Sequence, residues 1–218
     1  MILKLHIDFV SDISCPWCII GLRALEVALD RARDVVTANI AFQPFELNPH
    51  MPREGENVVE HVTQKYGSTP EQSAANRTMI SERAAELGFA MNGSAASRIY
   101  NTFDAHRLLY WAALHNRQAA LKEALFVAYF TDQRDPSDHA VLADVAASVG
   151  LDGGEAERIL ASERFATDVR VAEQLWQSRG VHAVPAIVID GKYLISGGQP
   201  PELFEEALRQ IAKADGAA

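Results

Sequence analysis

The sequence predicts an α/β fold whose strands lie near the two ends of the chain, with a long helical stretch between them. Three observations carry this. Residues 2–10 and 35–42 are strand-like and flank an amphipathic helix, so the chain opens with a β-α-β unit. From about residue 51 strand patterns vanish, and helical ones run for about a hundred residues. Strand character returns at 186–189 and 193–195, and one last helix closes the chain.

In order, Ile2 to Val10 is β-rich and partly alternating, as a largely buried strand would be. Pro16 suits the first turn of a helix, and Leu22, Leu25 and Leu29 recur at helical spacing opposite Arg23, Glu26 and Arg33. The second strand runs to Phe42, and Pro44 and Pro49 then end regular pairing. Thr69-Pro70-Glu71-Gln72 is a capping-box pattern for a helix that stops at Gly88. A long helix is expected over 94–116, with Ile99, Phe103, Leu108 and Trp111 on its apolar face, and another over 118–130. Asp135-Pro136-Ser137-Asp138 opens a helix that ends at Gly150, and further helices follow over 155–161 and 162–179. Asp190-Gly191 is a two-residue hairpin signal before Tyr193, and the final helix spans 201 to about 214.

The only cysteines, Cys15 and Cys18, stand with two residues between them in Ser-Cys-Pro-Trp-Cys. A disulfide there closes so small a loop that it contributes little to stability, which points to chemistry instead. A cysteine at a strand-to-helix junction meets unpaired backbone N–H groups and the positive end of the helix dipole, which favour the attacking thiolate. Cys15 occupies that place, and Cys18 lies one turn further in. A zinc site needs two more ligands, and the seven histidines show no ligand-like pairing: His106 and His115 are nine apart, His50 and His61 eleven. No metal is expected.

The 218 residues suffice for a well-packed core, as one large domain or one domain with an insertion. The 48% hydrophobic content contains no apolar run near the roughly 20 residues of a membrane span. The N-terminus lacks the pattern of a secretory signal, so a cytoplasmic location is expected. A net charge of −9 without clustered Lys and Arg argues against nucleic acid as a partner.

Asp12-Ile13-Ser14-Cys15-Pro16-Trp17-Cys18, Asn101-Thr102-Phe103-Asp104-Ala105-His106-Arg107-Leu108, Gly180-Val181-His182-Ala183-Val184-Pro185 and Ser196-Gly197-Gly198-Gln199-Pro200 follow in that order along nearly the whole chain. In this the sequence resembles the DsbA family of thiol-disulfide oxidoreductases, and in detail its FrnE-like branch. The resemblance implies a thioredoxin-like fold with a large all-helical insertion domain: residues 1–50 form the first part of the thioredoxin-like domain, 51–161 the insertion, 162–214 the second part and 215–218 a tail. It implies that Cys15 is the nucleophile, Cys18 the resolving cysteine, and Pro185 a cis-proline facing them. Pro185 has no N–H, which leaves the backbone of Val184 to pair with an extended substrate.

The related 2-hydroxychromene-2-carboxylate isomerases and kappa-class glutathione transferases share this architecture, with serine typical at the first motif position. Their reaction, a glutathione-dependent isomerisation or transfer on a small aromatic or polyketide-like substrate, is the alternative to thiol-disulfide exchange. The expected partners are protein or small-molecule thiols and disulfides. Glutathione is a candidate co-substrate and no other cofactor is implied. Pro16 and Trp17 are candidates for substrate contact, and His106 and His182 for lining the site. Asp8 and Asp12 read as strand-edge or loop carboxylates in water. Phe126, Tyr129 and Phe130 read as core, and Gln199 as part of a turn whose glycines supply positive φ. Composition leaves the oligomeric state open.

Overall fold

In the computed structural model, which describes residues 2–215, the chain runs β1 (Leu3–Ser11), α1 (Pro16–Arg31), β2 (Val36–Pro44), β3 (Glu56–Asn57), α2 (Val58–Tyr66), α3 (Pro70–Glu86), β4 (Arg98–Ile99), α4 (Phe103–Leu114) and α5 (Gln118–Phe126). A π-helical turn (Val127–Thr131) follows, then α6 (His139–Ser148), α7 (Gly153–Leu160), α8 (Ala166–Ser178), β5 (Ala186–Ile189), β6 (Tyr193–Ser196) and α9 (Pro201–Asp215). The main sheet has the order β2-β1-β5-β6. β1 and β2 pair in parallel, as a β-α-β unit requires, and β5 and β6 add antiparallel.

Side-chain alternation along β1 gives the sheet two buried faces. Leu5, Ile7 and Phe9 share one apolar cluster with α1 and α9, through Leu22, Leu25, Phe204 and Leu208. Val10 points the other way, into a smaller cluster with Trp176 of α8, Val181 and Ala186. A third cluster joins Leu108 and Trp111 of α4 to Leu121 and Leu125 of α5, Leu142 of α6 and Ile159 of α7. Ile13, from the loop before Cys15, belongs to this helical cluster.

The capping box predicted for α3 is present, with Gln72 N–H on Thr69 and Thr69 N–H on Gln72, and Gly88 follows that helix with φ 75°. Several expectations need correction. The stretch from residue 51 is not purely helical: Glu56 pairs with Ile99 and Asn57 with Arg98 in a short antiparallel ladder. The helix expected over 94–116 therefore starts only at Phe103, where the Asn101 side chain accepts from its N–H, and Ile99 lies in a strand. Asn57 caps α2, which periodicity alone did not reveal. The β5–β6 connection holds three residues between the paired Ile189 and Tyr193, with Asp190 and Gly191 both at positive φ. Asp215 belongs to α9, not to a tail, and its carboxylate accepts from Lys192 Nζ at 2.9 Å and Tyr193 OH at 3.2 Å. The rest of that expected tail, residues 216–218, lies outside the described residues.

Candidate functional site

The loop Ser11–Cys15 leaves the end of β1 between its neighbours β2 and β5, and one carboxylate organises it. Asp12 has no solvent exposure. It accepts from Ser14 N–H at 3.4 Å, Ser14 Oγ at 3.1 Å and Leu47 N–H at 2.7 Å, and His106 Nε2 of α4 stands 3.5 Å away. Burial pushes this carboxyl up, but His106, the Leu47 amide and Thr102 together outweigh it and hold Asp12 below the ordinary carboxylate range. The reading of Asp12 as a water-exposed loop carboxylate is thus overturned, because the loop folds under α4 rather than over the surface. Asp8 is half-buried and accepts from Gln43 Nε2 at 2.7 Å.

Cys15 is the N-cap of α1 in extended conformation, with Pro16 in the first turn and no side chain capping the helix. The residue is only 3% exposed, and its thiol donates to the Val184 carbonyl at 3.8 Å. The Val184–Pro185 peptide bond is cis. Cys18 follows one turn in, its N–H on the Cys15 carbonyl at 3.0 Å, and both thiols are free. Cys18 is wholly buried, and burial pushes its thiol far up, with Cys15 beside it adding to the effect.

A cleft of about 480 Å³ opens over Cys15. Its floor includes Ser14, Cys15, Pro16 and Trp17, and its walls come from α2, α3, the segment 91–99 and the π-helical turn. Trp17 lies half-buried between this cleft and the main core. Tyr129 and Phe130 also line it, while Phe126 is fully buried core. The expectation that these rings are core holds for Phe126, while Phe130 and Tyr129 pack partly buried against the main and helical clusters and present their remaining surface to the cleft. Lys65, Arg77 and Arg98 line the cleft and, among the described residues, no carboxylate does, although the chain carries 29 acidic residues against 20 basic ones.

The remaining candidates are placed apart from the opening. His106 lies buried behind the Cys15 loop on Asp12, not along the cleft. His182 is exposed, three residues before Pro185. Gln199 holds a turn, its Nε2 on the Ser196 carbonyl at 2.8 Å. Of the two glycines beside it only Gly197 has positive φ; a Cβ on Gly198 would stand 2.9 Å from the Trp17 carbonyl, so that glycine permits close approach.

Sequence reasoning missed Lys122 and the acid pair Glu46 and Glu173. Arg170 bridges these two acids, lying on Glu46 and 2.8 Å from Glu173. Burial, and then Glu173, raise Glu46 above its ordinary range. Lys122 is 0% exposed. A signal for it existed: it stands four before Phe126 and next to Leu121 on a helix whose buried stripe is Leu121, Leu125 and Phe126.

A family model for a DSBA-like thioredoxin domain matches residues 6–209. The chain belongs to that family. Over 212 residues this DSBA-like protein is 27% identical to YwbO of Bacillus subtilis, an uncharacterised protein, covering 97% of this chain and 99% of that one. It is 34% identical to a probable DsbA oxidoreductase, SCO1869 of Streptomyces coelicolor, whose crystal structure superposes with a TM-score of 0.90 over 96% of this chain and 90% of the other. The cytosolic disulfide reductase DsbM of Pseudomonas aeruginosa, solved with GSH, shares the fold at 17% identity and a TM-score of 0.62, covering 97% of this chain and all of that one (100%). Among the described residues no helix is long and apolar enough to cross a membrane.

Proposed function

We propose that this protein is a thiol-disulfide oxidoreductase of the disulfide oxidase or isomerase type, in the FrnE-like branch of its family, working through Cys15 and Cys18. The observation that carries the reading is the asymmetry of the pair. Cys15 caps α1 on the floor of the cleft against the Val184 carbonyl, and Cys18 is sealed behind it. Attack requires an accessible thiolate at a helix N-terminus, whereas resolution requires only reach to the first sulfur.

In the oxidising direction a substrate thiolate attacks Cys15 of the Cys15–Cys18 disulfide, and Cys18 leaves with the bonding pair. A second substrate thiolate then attacks the substrate sulfur of the mixed disulfide and releases Cys15. The substrate loses two electrons and the protein gains them. In the reducing direction Cys15 attacks a substrate disulfide and Cys18 expels the remaining half. Val184, beside the cis bond to Pro185, offers its backbone to an extended substrate, and Trp17 and Pro16 offer apolar contact. The chemistry needs no cofactor beyond the dithiol. A cytoplasmic setting suits a chain whose sole cysteine pair is reactive rather than structural.

The test is insulin reduction and refolding of a reduced disulfide protein, with reduction potential measured against glutathione buffers by thiol trapping. Cys15→Ser should abolish turnover and Cys18→Ser should accumulate mixed disulfides. Full activity in Cys15→Ser would sink the assignment. The cleft favours a second reading, a glutathione-dependent isomerase or transferase, because its volume suits a small ligand and its charged lining is cationic. That reading requires activity on a small aromatic substrate that survives Cys18→Ser.

A further inference from the structure

Helix α2 buries none of its side chains, although Val58 and Val62 share one of its faces. Polar bonds hold it instead. Asn57 caps it, His61 lies 2.6 Å from Glu56 Oε2 and 3.0 Å from Asn48 Oδ1, and Lys65 donates to the Leu47 carbonyl at 2.9 Å. The apolar face of α2 lines the cleft over Cys15, together with Ile80 and Phe130. From α3 the lining residues are Ser73, Asn76, Arg77, Ile80 and Ser81, a helical stripe with several hydrogen-bond donors and no acid.

The three cations of the cleft differ in what they hold. Lys65 is on Leu47 and Asn48, and Arg98 donates to the Glu54 carbonyl at 3.0 Å and the Gly55 carbonyl at 2.7 Å. Arg77 Nη1 is shut off from solvent and meets no hydrogen-bond partner among the described residues. A buried donor on a charged group is costly to leave unpaired, and an acid is the acceptor that suits it best. Resting on the reading of Cys15 and Cys18 as a redox dithiol, we propose that the substrate is a small thiol or disulfide with an apolar body and a carboxylate but no ammonium, Arg77 binding the carboxylate while the sulfur lies over Cys15.

Size, polarity and charge each narrow the class. The cleft, about 480 Å³, falls within the roughly 300–1,000 Å³ of small-molecule sites. Its valines and the rings of Trp17 and Phe130 suit an apolar body. An ammonium finds no carboxylate along it among the described residues, which sets the site against disulfides of amino acids. In the reducing direction the Cys15 thiolate attacks one sulfur of RSSR, the S–S bond breaks and the first RS⁻ leaves with its electron pair. The Cys18 thiolate then attacks the Cys15 sulfur and expels the second RS⁻. The dithiol loses two electrons to RSSR, and its two protons pass to solvent.

Reduced full-length protein is mixed with 4,4′-dithiodibenzoate, with its uncharged bis-amide or with oxidised glutathione, and thiol loss is followed by acid quenching and alkylation. Each rate is divided by that of 2-mercaptoethanol with the same disulfide, which removes the intrinsic reactivity of the probe. The dibenzoate should exceed both others by at least about tenfold, against the repulsion that a net charge of −9 exerts on an anion. Arg77→Met should lower the dibenzoate-to-amide ratio at least about fivefold, whereas Arg83→Met, on the same helix but outside the cleft lining, should leave that ratio as it is. A dibenzoate-to-amide ratio near one in the native protein would overturn the proposal, a result that does not depend on any variant folding. So would oxidised glutathione that matches or outruns the dibenzoate, or an Arg77→Met ratio equal to the native one. If none of the three probes converts Cys15 and Cys18 to a disulfide, the dithiol reading itself fails, and this inference with it.

Discussion

His106 Nε2 of α4 stands 3.5 Å from the Asp12 carboxylate, and neither side chain is more than 2% exposed. The pair ties the helical cluster to the loop that carries Cys15, since Asp12 also holds Ser14 and Leu47. Removing the carboxylate leaves those donors and His106 buried without their acceptor. Asp12→Ala should therefore cost on the order of 3–5 kcal/mol in urea unfolding.

The same carboxyl sets an acid limit. Asp12 is held below its ordinary value of 3.8 in the fold, so the unfolded chain binds its proton first as pH falls. Its stabilising contribution is complete above the unfolded value, declines below it, and is lost as pH passes through the lower folded value. Chemical denaturation between pH 5 and 2 should show a shallower acid decline in Asp12→Asn than in the native protein (roughly the window of a carboxylate).

Lys122 titrates with the opposite consequence. Its folded value, about 8, lies below the ordinary 10.5, so between those limits the unfolded chain holds more protons and raising the pH stabilises the fold through this group. Below 8 the full penalty of the buried ammonium is present. Lys122→Met should be more stable than the native protein at pH 7, by about 1–4 kcal/mol, and that advantage should shrink from pH 8 upward. Thermal melts at pH 7 and 10 check both parts.

Gly198 allows the turn before α9 to rest on α1. An added Cβ would meet the Trp17 carbonyl at 2.9 Å and the Trp17 ring at 3.2 Å, the first of which is backbone and cannot swing aside. Gly198→Ala should cost about 1–3 kcal/mol and change the Trp17 fluorescence, whereas Gly180→Ala, with no atom near its Cβ position, should leave that emission unchanged.

Arg107 is a buried staple. Its guanidinium donates to Asp104 at 2.7 Å, to the Arg164 carbonyl at 2.9 Å and to the Ile159 carbonyl at 2.5 Å, and it also bonds the Ser162 carbonyl. Arg107→Met leaves those carbonyls without their donor at the α7–α8 connection and should lower stability by about 2–4 kcal/mol. Hydrogen exchange should localise the loosening to residues 159–165, with the Cys15 loop protected as before.

What the sequence determined by itself were the features written locally. Alternation in β1, the caps of α3 and α6 and the Cys15-to-Cys18 spacing at the start of α1 each depend on residues a few positions apart, and the chain shows each of them, as it shows a turn at Asp190-Gly191, one residue longer than expected. The ordered motifs from Asp12 to Pro200 were enough to indicate the family. The tertiary structure decided everything that turns on who meets whom. Asp12 became a buried organiser because α4, about ninety residues later, covers it, and burial is a property of the packed chain. Arg98 and Ile99 became a strand because residues 56 and 57 lie alongside, a pairing across some forty positions that overrides helical periodicity. Lys122 is a buried cation because Phe42 of β2 and Phe126 lie over its ammonium, a contact that only the packed chain makes. Local torsions and spacing are fixed by neighbours in the chain, whereas desolvation and charge pairing are fixed by neighbours in space, and the burial of Cys15 and Cys18 is of the second kind.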